Sequence, residues 1–162
     1  MRSSLQLRDY LKRREKFRAR PYRDSAGKWT IGYGHVIRPH ERNTLKHISQ
    51  DRADALLLAD VSPLDTYLAA VETNFKGSLN QHQFDACISL SFNIGLKAFE
   101  TSTLLKLLRT GDFAGAAAEF DRWVYVTVDA PDGNGKIKKK LRGLVNRRRM
   151  DRAIFEKNEY AA

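Results

Sequence analysis

The clearest pattern in the chain is a strict alternation of two sets of residues between positions 30 and 37. One set is Ile31, Tyr33, His35 and Ile37, and the other is Thr30, Gly32, Gly34 and Val36. Because successive side chains point to opposite faces of a strand, this period of two predicts a β-strand with one set on each face. Residues 24–27 (Asp-Ser-Ala-Gly) come just before it and supply the residue types of a hairpin turn.

The two glycines of this strand indicate what its second face is for. Glycine weakens a strand interior unless another group must come close to the backbone. Gly32 and Gly34 would therefore clear the face that Thr30 shares and leave a groove for a bulky ligand. His35 would point to the opposite, more apolar face. The alternative is an edge hairpin that tolerates two glycines, and we favour the groove.

The rest of the chain is dominated by helical patterns. Leu5, Leu7, Tyr10 and Leu11 predict a short first helix that presents Glu15 at or just beyond its end. Four more helices are marked by polar residues that cap helix N-termini. These caps are Ser49, Asn80 with Gln83 as its capping-box partner, Ser102, and Asp112.

The ends of these helices are less regular. Pro63 should end or kink the helix that Ser49 begins. The helices after Ser102 and Asp112 should span 103–109 and 113–123. The alternating valines at 124–128 and the turn-rich residues 129–135 predict either a second hairpin or a long surface loop.

Length and composition narrow the class of protein. The 162 residues suit one globular domain. No apolar run approaches the roughly 20 residues of a membrane-spanning helix, and the charged N-terminus does not resemble a secretory signal peptide. The single cysteine, Cys87, lies in an apolar pattern and is expected to be a buried free thiol.

The net charge of +10 is concentrated at the two ends of the sequence. Residues 1–23 carry nine Lys or Arg against two acids, and residues 136–152 carry nine against one. The second cluster runs into a very basic helix expected at 143–156. Such clusters attract polyanions such as nucleic acid, anionic lipid or bacterial wall polymer. A charged surface that serves only solubility is an equally good explanation on charge alone.

Glu15, Asp24 and Thr30 are the candidate catalytic residues. Cleavage of a glycosidic bond needs one protonated carboxyl group and one ionised carboxylate. Glu15, between the apolar Phe17 and the glycine-lined face, would be the acid. Asp24, at an accessible turn, would stay ionised and position or deprotonate a water, with the Thr30 hydroxyl as a second hydrogen-bonding partner of that water. This arrangement points to inversion, with the carboxyl groups roughly 6.5 to 9.5 Å apart.

Each of these residues also has an ordinary structural explanation. Glu15 could neutralise neighbouring arginines, Asp24 could cap a turn, and Thr30 suits a strand. For any one of the three alone, the structural explanation is the better one. The spacing of the three residues, taken together with later segments of the chain, makes the catalytic explanation the better one.

The spacing of Glu15, Asp24 and Thr30, followed by Ile-Gly-Tyr-Gly-His at 31–35, resembles the active-site signature of phage-type lysozymes, the endolysins of glycoside hydrolase family 24. Further blocks of the sequence are similar to that family in the same order. They lie at 79–86, 91–95, 102–105 and 143–149. The resemblance runs from about residue 5 to residue 157 and implies a lysozyme-like α+β fold within a single domain over 1–162. A small hairpin lobe (about 15–60) would face a larger helical lobe (about 1–14 plus 61–162) across the active-site cleft.

The resemblance also implies substrate, partners and supporting residues. The substrate would be the β-1,4 bond between N-acetylmuramic acid and N-acetylglucosamine in bacterial peptidoglycan, cleaved for cell lysis. Arg147 resembles the arginine that pairs with the catalytic glutamate, and His35 a structural histidine with Asp60 as its partner. Gly32, Gly34, Phe92 and Asn93 would contact substrate.

No cofactor is expected, and no metal, because no second His or Cys stands at ligand spacing from His35. The segment at 129–136 superficially suggests a calcium loop, but Lys136 occupies a position that needs an oxygen ligand. We expect a monomer, made in the host cytoplasm and acting on the periplasmic wall with the help of a holin-type membrane-permeabilising partner. Trp29 and Trp123 are expected to pack in the core rather than stack on sugars.

Two other classes of protein remain open from sequence. One is a catalytically silent, basic module that binds cell wall or nucleic acid, although no helix-turn-helix or aromatic RNA-binding signature is present. The other is a lysozyme-fold antibacterial effector, which would differ in delivery rather than in chemistry.

Overall fold

Helices make up most of the structure, a computed structural model that describes residues 1–24, 27–131 and 134–161. The α-helices are α1 (Leu5–Glu15), α2 (Gln50–Glu72), α3 (Gln81–Ile94), α4 (Leu96–Glu100), α5 (Thr103–Thr110), α6 (Phe113–Glu119) and α7 (Arg142–Lys157). The strands are β1 (Arg18–Arg23), β2 (Trp29–Gly32), β3 (His35–Val36), β4 (Tyr125–Asp129) and β5 (Lys136–Lys140). Short 3-10 helices lie at Pro39–Glu41 and Phe120–Arg122. None of the helices described is both long and apolar enough to cross a lipid bilayer.

The predicted N-caps are confirmed. The side chains of Ser49, Asn80, Ser102 and Asp112 each accept a hydrogen bond from a backbone N–H of the helix that follows. Gln83 completes the capping box with Asn80. These caps are local hydrogen bonds that satisfy N–H groups the helix itself leaves unpaired, so they can be predicted from nearby sequence.

Pro63 does not end α2, which continues to Glu72, so the predicted end at this residue is wrong. A proline inside a helix costs about 3 kcal/mol because it removes one hydrogen bond. Here the helix buries leucines on both sides of the exposed Pro63, among them Leu57 before it and Leu64 and Leu68 after it. Each buried leucine contributes roughly 1.5–3 kcal/mol, which outweighs the loss.

The first sheet is antiparallel with the strand order β1-β2-β3. The single strand expected over 30–37 is divided, because a turn at Tyr33 and Gly34 separates β2 from β3. Gly34 has φ +91°, a backbone conformation that is unfavourable for residues with a side chain. The predicted turn at 24–27 contains Ser25 and Ala26, which lie outside the described residues.

The second hairpin is a true pair of strands. β4 and β5 are antiparallel, from Tyr125 opposite Lys140 to Asp129 opposite Lys136. Of the two structures that the valine pattern allowed, the strands are therefore the one that forms. The connecting segment includes Asp132 and Gly133, which lie outside the described residues. These two residues also belong to the segment at 129–136 that superficially suggests a calcium loop. The helix expected at 113–123 ends at Glu119 and continues as a 3-10 turn.

The first helix is fixed to the helical part of the molecule at its N-terminus. The backbone N–H and hydroxyl of Ser3 donate to Asp65 at 3.0 and 2.9 Å. Ser4 caps α1 and donates to Asp85 of α3 from both its N–H and its hydroxyl. Helix α1 therefore carries Glu15, its last residue, from a fixed base.

Candidate active site

An open cleft of about 690 Å³ lies between the first sheet and the helices. Glu15 enters it from the end of α1, Asp24 and Thr30 from the β1–β2 hairpin, and Phe92 and Asn93 from the end of α3. The three candidate catalytic residues therefore line one cavity, although they come from separate elements. The predicted substrate contacts Phe92, Asn93 and Gly34 line the same cavity.

The carboxylate of Glu15 is ion-paired with Arg147. Nη1 of Arg147, from α7, lies 2.8 Å from Oε1 of Glu15, and the Glu15 side chain is 22% exposed. On the other side, a Cβ atom at Gly34 would lie 3.6 Å from Oε2 of Glu15. Glu15 is thus held between an arginine from the last helix and the turn between β2 and β3.

Asp24 closes the turn that joins β1 to β2. Its backbone N–H donates to the carbonyl of Lys28 at 2.9 Å, and its Oδ1 accepts from the backbone N–H of Lys28 at 2.8 Å. Asp24 therefore has the turn-forming contacts that its structural explanation required, and it also lines the cleft. The two roles do not conflict, because a carboxylate has acceptor sites for several hydrogen bonds.

Thr30 is 2% exposed and lies opposite Tyr22 in the sheet. Its hydroxyl donates to the carbonyl of Lys28 at 3.1 Å. A hydroxyl oxygen has one proton and two lone pairs, so Thr30 keeps its acceptor capacity after this bond. The Thr30 oxygen can therefore accept a hydrogen bond from a water molecule in the cleft.

Gly32 does not line the cleft, which corrects its assignment as a substrate contact. It is buried, and a Cβ atom there would lie 3.1 Å from Cβ of Ala53 and 3.3 Å from Cδ1 of Ile48. Gly32 therefore permits close packing of β2 on α2. The period of two assigned it to the face of Thr30, but its φ of +66° at the end of the strand takes it out of that pattern.

His35 is buried on the side of the sheet that was predicted. Its Nδ1 contacts the carboxylate of Asp60 at 2.9 Å, and its Nε2 contacts Glu41 at 3.1 Å. The hydrogen bond to Asp60 is the main reason that the pKa of His35 is raised above its usual 6.5, against the opposing effect of burial. His35 thus ties β3 to α2, as the expected Asp60 partner implied. Within 1–24, 27–131 and 134–161, no cluster of His, Cys, Asp and Glu is suited to hold a metal ion.

Sequence reasoning missed a buried network behind the cleft. Arg148 and Asp151 are both fully buried, and Nη2 of Arg148 lies 3.1 Å from Oδ2 of Asp151. Asp151 also accepts from the hydroxyl of Ser89 at 2.6 Å, and Nη2 of Arg148 donates to Oδ1 of Asn93 at 2.7 Å. The spacing of Arg148 and Asp151 by three residues on one helix was the available signal.

The two tryptophans behave differently from each other. Trp29 is 41% exposed and lies under the guanidinium of Arg23, 4.5 Å from its ring centre. The prediction that it packs in the core is therefore wrong. Trp123 is half-buried and packs against the edge of the core, as expected.

Similarity to known proteins identifies the family of this chain. The family model for phage lysozyme matches residues 12–151. The chain belongs to the phage lysozyme family. An endolysin of Acyrthosiphon pisum secondary endosymbiont phage 1 is 44% identical over 146 residues, which cover 90% of this chain and 92% of that relative. The structure of an endolysin from Escherichia coli O157:H7 phage FAHEc1 has a TM-score of 0.82 and 35% identity, covering 100% of this chain and 98% of that one. A P22 lysozyme mutant has a TM-score of 0.70 and 33% identity, covering 96% of this chain and 98% of that one.

The comparisons confirm the lysozyme-like α+β fold and the resemblance on which it was based. As a phage lysozyme, the protein is a glycoside hydrolase that acts on peptidoglycan. A catalytically silent binding module is therefore not favoured.

Proposed function

We propose that this lysozyme hydrolyses the β-1,4 bond between N-acetylmuramic acid and N-acetylglucosamine with inversion, and that Glu15, Asp24 and Thr30 perform the reaction. One observation carries the proposal. The three residues, brought from the end of α1 and from the β1–β2 hairpin, line one cleft that is open to a polymer.

Glu15 is the general acid in this proposal. It delivers a proton to the leaving oxygen while positive charge develops on the sugar. In the structure, Arg147 occupies Oε1 at 2.8 Å and competes with a proton for that oxygen. We therefore propose that substrate binding draws Arg147 away from Oε1, so that the carboxyl group can carry and deliver its proton.

Asp24 and Thr30 hold the attacking water. Asp24 accepts a proton from the water as it attacks the anomeric carbon, and the Thr30 hydroxyl accepts its second hydrogen bond. A water placed between a carboxylate and the sugar requires room on the face opposite the acid. Inversion follows from that geometry, because the water itself forms the new bond.

Gly34, Phe92 and Asn93 complete the proposed site as substrate contacts. Gly34 leaves open the wall next to Glu15, and Phe92 and Asn93 line the side formed by α3. The amide of Asn93 can hydrogen-bond an N-acetyl group or a hydroxyl of the glycan.

The proposal is tested with Glu15→Gln on purified peptidoglycan. We expect clearing to fall by about 10²–10⁴-fold, because the amide cannot donate the acid proton, while binding to the wall is retained. Glu159→Gln, an exposed residue near the C-terminus, is the matched control and should clear as the parent does. Equal clearing by Glu15→Gln and parent would remove Glu15 from its role.

Product analysis tests the bond and the stereochemistry. A new reducing end on muramic acid, formed first as the α-anomer, supports an inverting lysozyme. An anhydro end would identify a transglycosylase instead. A β-anomer would show retention, and Asp24 would then not act through a water.

We also propose that the enzyme is a monomer made in the host cytoplasm, and that it reaches the periplasmic wall with a holin-type permeabilising partner. The likeness to endolysins supports this proposal. Expression of the enzyme with and without a membrane-permeabilising protein tests this, since lysis should require the enzyme and the permeabilising protein together. Sedimentation velocity tests the monomer.

A further inference from the structure

A second groove, of about 310 Å³, lies where the β4–β5 hairpin meets α5 and the end of α6. Its lining residues are Thr103, Glu119, Arg122, Trp123, Tyr125, Val126, Thr127 and Lys138. Among the described residues, it shares none of its lining with the cleft that holds Glu15. We call it the hairpin groove.

Two aromatic rings give the hairpin groove its apolar surface. Trp123 is half-buried against the edge of the core, so its ring is held in place. Tyr125 is 53% exposed, an unusual position for a large aromatic side chain. Tyrosine and tryptophan provide broad apolar faces with few rotatable bonds and a polar group at the edge. Such faces suit the C–H face of a pyranose ring.

Polar groups surround these rings. Glu119 and Arg122 form an ion pair of 2.9 Å, and the Arg122 side chain is 77% exposed, so most of its N–H donors remain open. The hydroxyls of Thr103 and Thr127 and the carboxylate of Glu119 can exchange hydrogen bonds with sugar hydroxyls.

The strand register places a cation beside the aromatic face. Thr127 lies directly opposite Lys138, so the two side chains are on one face of the hairpin, and Tyr125 is on that face two residues earlier. Val128 and Ile137 form a pair on the other face. An aromatic ring, a hydroxyl and an ammonium group are therefore presented together.

We propose that the hairpin groove is a second binding site for the glycan strand of peptidoglycan, separate from the catalytic cleft. Tyr125 and Trp123 contact the sugar rings, and Arg122 and Lys138 bind the carboxylates of the attached peptides, whose charge is complementary. The inference rests on the proposed function for the identity of the polymer. Its consequence is that the enzyme stays on an insoluble wall between cleavage events, whereas turnover of short soluble fragments does not need the groove.

Two pairs of variants test the groove. Tyr125→Ala and Lys138→Ala change residues that line it. Ile137→Ala, on the other face of the hairpin, and Lys136→Ala, on the same strand outside the groove, are the matched controls. All four residues are exposed, so loss of fold is not expected, and circular dichroism checks this.

Retention on purified sacculi is measured by co-sedimentation, with each change added to Glu15→Gln so that the wall is not digested. We expect Tyr125→Ala and Lys138→Ala to weaken retention about 5-fold each, and the controls to change it by less than about 2-fold. In the presence of Glu15, kcat/KM on soluble glycan oligomers should be unchanged in all four.

Three outcomes would overturn the proposal. Unchanged retention of Tyr125→Ala and Lys138→Ala would mean that the groove does not bind the wall. Equal weakening by Lys136→Ala and Lys138→Ala with no effect of Tyr125→Ala would mean that only general charge acts. Retention on vesicles of anionic phospholipid that the groove variants abolish, with sacculus binding unchanged, would assign the groove to lipid. Failure of the parent to cleave soluble oligomers would instead contradict the proposed function and leave the retention results to be judged separately.

Discussion

Nη2 of Arg148 donates to Oδ1 of Asn93 over 2.7 Å, so a guanidinium without exposed surface holds a side chain that lines the same cleft as Glu15. The guanidinium is in turn fixed by Asp151, which Ser89 also contacts. The position of Asn93 therefore depends on the packing of α3 against α7.

We expect Arg148→Met to lower the free energy of unfolding by about 3–5 kcal/mol. The change leaves the fully buried Asp151 without its cation, and an unpaired buried charge is strongly unfavourable. Urea unfolding measures the effect. Arg149→Met on the same helix is the control, because Arg149 is exposed and should change stability by less than about 0.5 kcal/mol. If the buried ion pair is the cause, adding Asp151→Leu to Arg148→Met should recover most of the loss.

Gly32 and Gly34 should respond differently to alanine. Both have positive φ, which costs roughly 1–2 kcal/mol for a residue with a side chain. In Gly32→Ala the added methyl group also crowds Ala53 and Ile48, so the free energy of unfolding should fall by a further 1–3 kcal/mol, roughly. Gly34→Ala instead adds a methyl group next to Glu15 and should lower kcat roughly 10-fold or more by displacing the carboxyl group.

Unfolding curves and steady-state kinetics on soluble oligomers separate the two glycine effects. Gly32→Ala, measured well below its melting temperature, should keep kcat near that of the parent. A larger loss of kcat in Gly32→Ala than in Gly34→Ala would contradict the placement of these residues.

The His35–Asp60 contact should make stability depend on pH. The pKa of His35 is raised in the fold, chiefly by the hydrogen bond to Asp60, with Glu41 as the second acidic partner. Because the folded pKa lies above the unfolded value, this contribution is fully present below about pH 6.5 and is lost as pH rises through the folded pKa. The stability advantage of the parent over Asp60→Asn should therefore be greatest in acid and shrink at higher pH.

Urea unfolding of parent and Asp60→Asn at several pH values measures this difference. Asp9→Asn, which changes an exposed aspartate of α1, controls for the general effect of removing a carboxylate. An advantage that stays constant across the range would show that the contact does not depend on protonation of His35.

Pro63→Ala should stabilise the protein. Alanine restores the N–H that α2 lacks at this position, and the position is exposed, so little packing is lost. The gain of about 3 kcal/mol expected in a helix interior is reduced by about 0.4–1 kcal/mol, since proline also restricts the unfolded chain. Thermal unfolding should show a higher melting temperature, and Ser62→Ala on the same turn should change it little. A lower melting temperature for Pro63→Ala would mean that the proline ring makes packing contacts of its own.

The parts of the fold that local sequence determines were predicted well. Ser49, Asn80, Ser102 and Asp112 bond to backbone groups within their own helices, so nearby residues suffice to predict them. The gathering of Glu15, Asp24 and Thr30 in one cleft followed from the family resemblance, since no periodicity relates the end of a helix to a hairpin.

The errors arose where contacts between residues far apart in the sequence determine the structure. Helix α2 continues through Pro63 because leucines on both sides are buried against other elements, which the local rule does not include. Gly32 was assigned to the cleft because alternation gives a face but not what packs on it. Arg148 lies within the basic cluster at 136–152, and nothing local in the sequence indicates that Ser89 and Asn93 of α3 contact its network.

The attachment of α1 to the helices has a mechanical consequence. Glu15 ends a helix that hydrogen bonds from Ser3 and Ser4 attach to Asp65 and Asp85. Asp24 and Thr30 belong instead to the β1–β2 hairpin. In the proposed mechanism, the proton donor and the groups that hold the water therefore come from different elements of the fold. The proposed reaction therefore depends on how the end of α1 and the β1–β2 hairpin are held relative to each other across the cleft.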